Sequence, residues 1–481
     1  MLPLCLAVFL ALGTVYAFVF PLGQAPDEPA HFRYALFLAD NARLPDFNAD
    51  NAGYESYQAP LYYTLCAAVG KLAMIGAPDQ PAPLPAALEA PDERILARLP
   101  RYETIRKGQH ELALDALRQA HAYTVAERRA WLAMRLFTVV LGALGIFLAW
   151  RIAFVLFPER GWIAGTIAAF MAAQPMYVHI SASVGNDPPT TVAVGFVLLM
   201  ALLILRHGPT TRRCALLGLA VAVGALTKAS ALAVVPVALL AVIWAAGRRH
   251  EPEPGETYLT DWARRAAAID WGTALKGLGA MLGVAAAVAG WWYVRNAMVY
   301  GTISPFPANV EKQVPWEAYL VRPDLAAGML AISLPMTFRN FWAGFAWTNI
   351  AAPAWVYWLL LAIVAAALPG LVMLVADAKR DRLGWSLAQV RGVWLLIFAK
   401  ALMGLAVLWY ILTIDLGGGS QGRYMFPVLS AMALLWAVGI GRLLRETARR
   451  WLPAVAGVAM LAFNLWCLFG LIIPFYRAMG V

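Results

Sequence analysis

Charge is scarce in this 481-residue chain. Asp, Glu, Lys and Arg make up 14% of it, against about a quarter in soluble globular domains. Beside 61% hydrophobic residues, that shortage excludes a soluble enzyme. Cysteine is sparse as well, with four residues in all. Cys5, Cys66, Cys214 and Cys467 are scattered without a CxxC spacing, which gives no basis for a cysteine redox or metal cluster. The six histidines include no HxxxH pair, so that metal signature is missing too. Acids are outnumbered, 28 against 38 bases, for a formal charge of +10. In a soluble chain that balance would suggest nucleic acid. Here most bases sit in short loops beside apolar runs, where they control membrane topology, and no nucleic-acid partner is expected.

What the chain has in quantity is apolar runs, so hydrocarbon is the solvent for most side chains. The first, Met1 to about Leu22, lacks the basic leader of a signal peptide and reads as an uncleaved span. Ten more follow: Ala130–Leu156, Trp162–Ile180, Pro188–Leu205, Cys214–Thr227, Ser230–Ala246, Ala274–Val294, Ala354–Ala376, Val393–Ile414, Tyr424–Leu443 and Leu452–Phe475. The expectation is an all-α polytopic membrane protein of about eleven transmembrane helices, forming one domain over residues 1–481. Two long loops interrupt it, at residues 23–129 and 295–353. The first has structure of its own. Asp27 to about Asn41 has helical apolar spacing, Leu61–Met74 is apolar enough to lie on the membrane surface, and Glu93–Glu127 reads as a charged helix with Leu112, Leu114 and Leu117 as candidates for burial.

Basic loops fix the orientation. Those bearing Arg160, Arg206 with Arg212 and Arg213, Arg248 with Arg249, Lys379 with Arg380 and Arg382, and Arg442 through Arg450 fall on one side, the cytoplasmic one. That count requires a hairpin at Lys228, because a single crossing over Cys214–Ala246 would invert every later loop.

The opposite face then collects the groups able to do chemistry. Asp27, Glu28 and His31 follow the first span, with Asp27 and His31 at i,i+4 and able to face one cleft. As a bland alternative, Asp27 is simply a helix N-cap with Glu28 in the first turn. Glu55, Tyr57 and Gln58 lie further along the first loop. Asn186 and Asp187 precede a prolyl pair and suit sugar hydroxyls or helix capping. Lys228 occupies a tight turn before an outward-facing helix N-terminus, a place that favours phosphate. Arg295 beside Trp291 and Trp292 suits either an anion or an interfacial belt. In Leu416-Gly417-Gly418-Gly419-Ser420-Gln421-Gly422-Arg423, glycines let consecutive backbone N–H groups converge where Arg423 and the next helix N-terminus also point, an anion-site candidate whose alternative is a flexible hairpin between two spans. No metal is assigned, although Asp27, His31 and Glu55 together leave a divalent ion open.

Pro26-Asp27-Glu28-Pro29-Ala30-His31 and Gln421-Gly422-Arg423-Tyr424-Met425-Phe426-Pro427 resemble the signatures of a family of uncharacterised bacterial membrane proteins related to the GT-C glycosyltransferases. That superfamily includes protein O-mannosyltransferases and the lipid A aminoarabinose transferase. Tyr54-Glu55-Ser56-Tyr57-Gln58-Ala59-Pro60-Leu61-Tyr62-Tyr63 is similar to the Glu-x-Pro-Pro-Leu segment of their first outer loop. The resemblance implies a GT-C-like fold in the bacterial inner membrane, with the active site facing the periplasm. It implies a donor sugar on a polyprenyl phosphate of the undecaprenyl type and an envelope glycan, lipid or protein as acceptor. Asp27 matches the acid at the reaction centre, Glu28 adjoins it so that either of the two is a candidate for the catalytic base, and Glu55 matches a second loop carboxylate. Arg423, Lys228, Arg295 and Gln421 are then candidates for the donor phosphate. His31, Glu55, Tyr57, Gln58, Asn186 and Asp187 are candidates for sugar or acceptor. Two readings from other classes stand beside this one: a transporter or flippase of polyprenyl-linked sugars, and a non-catalytic subunit of a polysaccharide assembly machine.

Overall fold

The computed structural model describes residues 1–81, 85–89, 107–247, 269–305, 315–380, 382–415 and 420–480. Among them, nine helices are long and apolar enough to cross a membrane: Leu2–Val19, Val125–Leu156, Asp187–His207, Ala229–Ala246, Trp271–Tyr300, Ala354–Lys379, Leu387–Thr413, Gly422–Leu443 and Leu452–Met479. A bent pair, Gly161–Ala173 and Pro175–Ser181, meeting at 62°, is long and apolar enough when its two helices are taken together. The bend has a chemical cause. Pro175 has no N–H to give, and the Gln174 side chain takes over by accepting from Tyr177 N while donating to Phe341 O at 2.5 Å.

The eleventh expected span differs. Its helix is Thr211–Ala225, only 15 residues, or roughly 22 Å at 1.5 Å per residue against a hydrocarbon thickness of about 30 Å. The expected hairpin is nonetheless present. At one end Arg213 Nη1 donates to His207 O, and at the other Lys228 Nζ pairs with Asp187 Oδ1 at 2.6 Å. Thr227 and Lys228 then turn the chain into the 3-10 start, Ala229–Val234, of the next span.

The first loop is helical where the apolar spacing says, at Glu28–Asn41 and Leu61–Met74, with a further helix at Lys107–His121. Leu114 and Leu117 are buried as expected, but Leu112 is exposed. Residues 82–84 and 90–106, which include the start of the expected charged helix at Glu93, lie outside the described residues. Leu61–Met74 is two-faced, with Tyr62, Tyr63 and Cys66 buried against the protein and Leu65 and Leu72 facing outward. In the second loop, Pro323–Ala343 is a helix with Pro335 inside it, and residues 306–314 are not described. A two-stranded antiparallel hairpin follows, β1 Gly344–Phe345 and β2 Ile350–Ala351. Its turn puts Ala346 and Thr348 in the left-handed region, at φ 53° and 65°, and Trp347 Nε1 reaches Gly23 O at 3.0 Å.

One buried ion pair joins the first loop to the bundle. Glu28 and Arg135 have side chains 0% and 1% exposed. Arg135 also donates to the carbonyls of Ala17, Phe20 and Pro21 at 2.7 to 2.9 Å, closing the C-terminal end of the first helix. The pair thus ties the end of the first helix and the start of Glu28–Asn41 to Val125–Leu156 by direct contact.

Candidate active site

Asp27 occupies the N-cap position of Glu28–Asn41, yet its side chain caps nothing. Its backbone is left-handed, φ 64° and ψ −2°, a conformation that costs a non-glycine residue on the order of 1 kcal/mol and persists only where neighbours hold it. Two neighbours do. Tyr54 Oη donates to Asp27 Oδ1 at 2.8 Å, and Arg423 Nη2 pairs with Asp27 Oδ2 while Arg423 Nη1 reaches Pro26 O at 3.2 Å. The capping alternative therefore fails, and the carboxylate is turned toward Tyr54 and Arg423 instead of the helix N-terminus.

From Asp27 the network runs through three further parts of the chain. Arg423 Nε lies 3.3 Å from Asp187 Oδ2, and Asp187 Oδ1 accepts from Lys228 Nζ at 2.6 Å. Acid and base alternate along Asp27, Arg423, Asp187 and Lys228. The two inner members, Arg423 and Asp187, are 5% exposed, whereas the Asp27 side chain keeps 29% exposure and Lys228 18%. The two ends of the row are thus the accessible ones. The ring of Tyr424 lies 5.6 Å from both the Lys228 ammonium and the Arg423 guanidinium.

A second group lies behind Asp27. His31, one turn along, bonds through Nδ1 to Tyr63 Oη at 2.7 Å, and Asn186 Nδ2 donates to the same phenol at 3.2 Å. Gln58 Nε2 donates to Glu55 Oε2 at 2.9 Å and to Tyr57 Oη at 3.1 Å. One ligand atom from each of Asp27, His31 and Glu55 falls within 4.8 Å of the others. Two carboxylates and an imidazole suit a divalent cation, so these three are the residues that could hold one.

Electrostatics separates the two carboxylates. Burial pushes Asp27 up, but Arg423, His31 and the Tyr54 hydrogen bond outweigh it and leave the carboxyl below its ordinary value. Burial and then the Asp27 charge push Glu55 up to about 7. Burial also drives His31 down to about 3, against the pull of Asp27. At neutral pH the cluster therefore holds an ionised Asp27, a neutral imidazole and a partly protonated Glu55.

Nine of the expected residues meet here: Asp27, His31, Glu55, Tyr57, Gln58, Asn186, Asp187, Lys228 and Arg423. Three do not. Glu28 is a correction. Its Oε1 accepts from Trp131 Nε1, Arg135 Nε and Val184 N, and its Oε2 from Arg135 Nη2 and Gly23 N, so the carboxylate is fully engaged inside the protein. It braces the segment that carries Asp27 instead of touching the cluster. Arg295 sits at the same end of the bundle but donates to Pro45 O at 2.9 Å and stacks over Trp292 and Tyr300. Gln421 serves by its backbone, leading into the 3-10 turn Gly422–Val428 that presents Arg423. The glycines at 417–419 lie outside the described residues.

Sequence reasoning missed Tyr54, Tyr63 and Arg135. Tyr54 and Tyr63 are the two ends of the Glu55 motif, which was the available signal. Arg135 had none, being a base in the middle of an apolar run.

These features define a polytopic membrane protein with a partly open acid–base cluster at one end of its bundle. The family model DUF2142, described as a predicted membrane protein, matches residues 10–432, and the chain belongs to that family. No curated protein matches it in sequence. Among solved structures, it is similar to ArnT from Cupriavidus metallidurans bound to undecaprenyl phosphate, with 14% identity, TM-score 0.47, and coverage of 99% of this chain and 74% of that one. It is also similar to the arabinofuranosyltransferase AftD from Mycobacteria, with 16% identity, TM-score 0.32 and coverage of 85% and 27%. A third is the archaeal oligosaccharyltransferase AglB from Archaeoglobus fulgidus, in complex with an inhibitory peptide and a dolichol-phosphate. There the identity is 12%, the TM-score 0.40 and the coverage 99% and 56%.

Proposed function

We propose that this protein is a GT-C-type glycosyltransferase. It moves a single sugar from a polyprenyl-phosphate carrier to an envelope glycan, lipid or protein acceptor at the periplasmic face of the bacterial inner membrane. The observation that carries the reading is the convergence of Asp27, Arg423, Asp187 and Lys228 from four separated parts of the chain, accessible at both ends of the row.

In this mechanism Asp27 accepts the proton of an acceptor hydroxyl as that oxygen attacks the anomeric carbon, with inversion. The bond from the anomeric carbon to the phosphate oxygen breaks, and polyprenyl phosphate leaves with the electron pair. A positioned general base supplies about a hundred- to ten-thousand-fold in rate. Charge grows on the departing phosphate, so Arg423 and Lys228 do their work there. Without donor, both cations are neutralised by Asp187 and Asp27. A phosphate that draws Arg423 toward itself also weakens the pair holding Asp27 acidic, so donor binding readies the base.

A divalent ion is a second element of the reading, favoured by the closeness of Asp27, His31 and Glu55. When bound, such an ion would supply positive charge beside the reacting centre. The residues themselves would orient it, His31 being fixed in ring orientation by Tyr63.

Asp27→Asn tests the reading. Purified parent and variant, matched for membrane insertion and monodispersity, are given a panel of undecaprenyl-phosphate sugars with envelope extract as acceptor, and released undecaprenyl phosphate is measured by mass spectrometry. The variant should lose about two to four orders of magnitude. Release at the parent rate would remove Asp27 from the chemistry.

A further inference from the structure

A second basic cluster lies at the other end of the bundle. Arg423 and Arg442 mark the two ends of the span Gly422–Leu443, which at 1.5 Å per residue puts them roughly 30 Å apart. Around Arg442 is a cavity of about 330 Å³. Four guanidinium groups line it, from Arg160, Arg382, Arg442 and Arg449, against a single carboxylate, Asp377. That carboxylate is already taken, by Arg442 Nε at 2.7 Å. Arg449 Nε donates to Gly441 O at 2.7 Å and Leu444 O at 3.2 Å, which fixes the group without neutralising it. Arg160 is held over the rings of Phe157 and Trp385, at 5.9 and 6.0 Å. Among the described residues, Arg160, Arg382 and Arg449 have no carboxylate within 4.0 Å.

Several like charges around one half-enclosed space repel each other, and burial raises that cost. Burial and the nearby Arg449 accordingly push Arg160 below its ordinary value. Planar guanidinium forks match phosphate oxygens two at a time. The remaining wall is apolar, with Trp162, Leu374 and Val438, as a site at the boundary of hydrocarbon and water requires. We propose that this cavity binds a phosphate group at the end of the bundle opposite the Asp27 cluster. That chemistry has two sources, an anionic phospholipid headgroup and free inorganic phosphate. The inference does not depend on the transferase reading, because none of these residues belongs to the Asp27 network.

The test uses the full-length protein in phosphatidylcholine nanodiscs. In one arm phosphatidylglycerol is mixed in, and native mass spectrometry counts the anionic lipid retained on release. In the other, inorganic phosphate is titrated and the melting temperature followed. The parent should retain phosphatidylglycerol over phosphatidylcholine if the source is lipid, or rise in melting temperature with phosphate if it is the free anion. Arg160→Gln with Arg449→Gln should reduce whichever effect is seen by about fivefold for each arginine removed. The more exposed Arg382→Gln provides the same reading, about fivefold, should the double variant not fold. A parent with neither effect, or variants equal to the parent in both arms, would overturn the proposal.

Discussion

Glu28 and Asp27 are neighbours in sequence but have different surroundings, Glu28 paired inside the protein with Arg135 and Asp27 partly exposed beside Arg423, a difference that substitution can read. Glu28→Ala would leave the Arg135 guanidinium, 1% exposed, without its counter-charge. Breaking a buried pair in this way costs about 3–5 kcal/mol. Trp131 Nε1, Val184 N and Gly23 N would lose their acceptor as well. Against a total stability on the order of 5–15 kcal/mol, the variant should fail to accumulate as a monodisperse species. Glu28→Gln is the milder and more informative change. Its amide oxygen can still serve Trp131, Val184 and one Arg135 nitrogen. Its NH2 would face two donors, Gly23 N and Arg135 Nη2, at about 1–3 kcal/mol for each unmet group. The assay is fluorescence-detected gel filtration with a melting curve, run beside Asp27→Asn. Glu28→Gln should melt clearly below the parent, and Asp27→Asn should melt near it while losing transfer. If Glu28→Gln melts like the parent and loses transfer outright, Glu28 belongs to the chemistry and the bracing role is wrong.

Two more predictions concern the cluster. Arg423→Lys keeps the charge but loses the fork that reaches Asp27, Pro26 and Asp187 together, so the donor KM should rise by an order of magnitude or more; an unchanged KM would place the phosphate elsewhere. Glu55 bears on pH. Its carboxyl is held at about 7 in the folded chain against an ordinary 4.5, so between those values the folded state keeps a proton that the unfolded state has lost. Stability from this group is therefore lost as pH rises through that window. His31, lowered to about 3, contributes the opposite slope between about 3 and its ordinary 6.5. Only the difference between parent and Glu55→Gln isolates the glutamate: the variant's melting temperature should fall less, or rise more, from pH 4.5 to 7, and parallel curves would refute the assignment.

Much of this was legible in the sequence because it depends on local rules. Apolar runs locate the nine long helices and the bent pair, and the demand that basic loops share a side fixes the hairpin at Lys228 before any contact is known. That same count sends Asp27, Asp187, Lys228 and Arg423 to one face. What it cannot supply is pairing between distant positions. Glu28 looks as reactive as Asp27 until Arg135, more than a hundred residues away, is found against it. Arg295 carries the same charge as Arg423, and only packing decides that one meets Asp27 and the other Pro45. The left-handed backbone at Asp27 was also invisible, since it follows from what holds the carboxylate rather than from residue type. The Gly344–Ala351 hairpin is too short for an alternating pattern to announce it.

The most direct measurement is a structure of the full-length protein with undecaprenyl phosphate. The account predicts density for the phosphate within hydrogen-bonding distance of both Arg423 and Lys228, with Asp27 facing the open side of the phosphorus where the sugar would be. Lipid phosphate bound away from both cations, with the row of Asp27, Arg423, Asp187 and Lys228 unbroken, would contradict it.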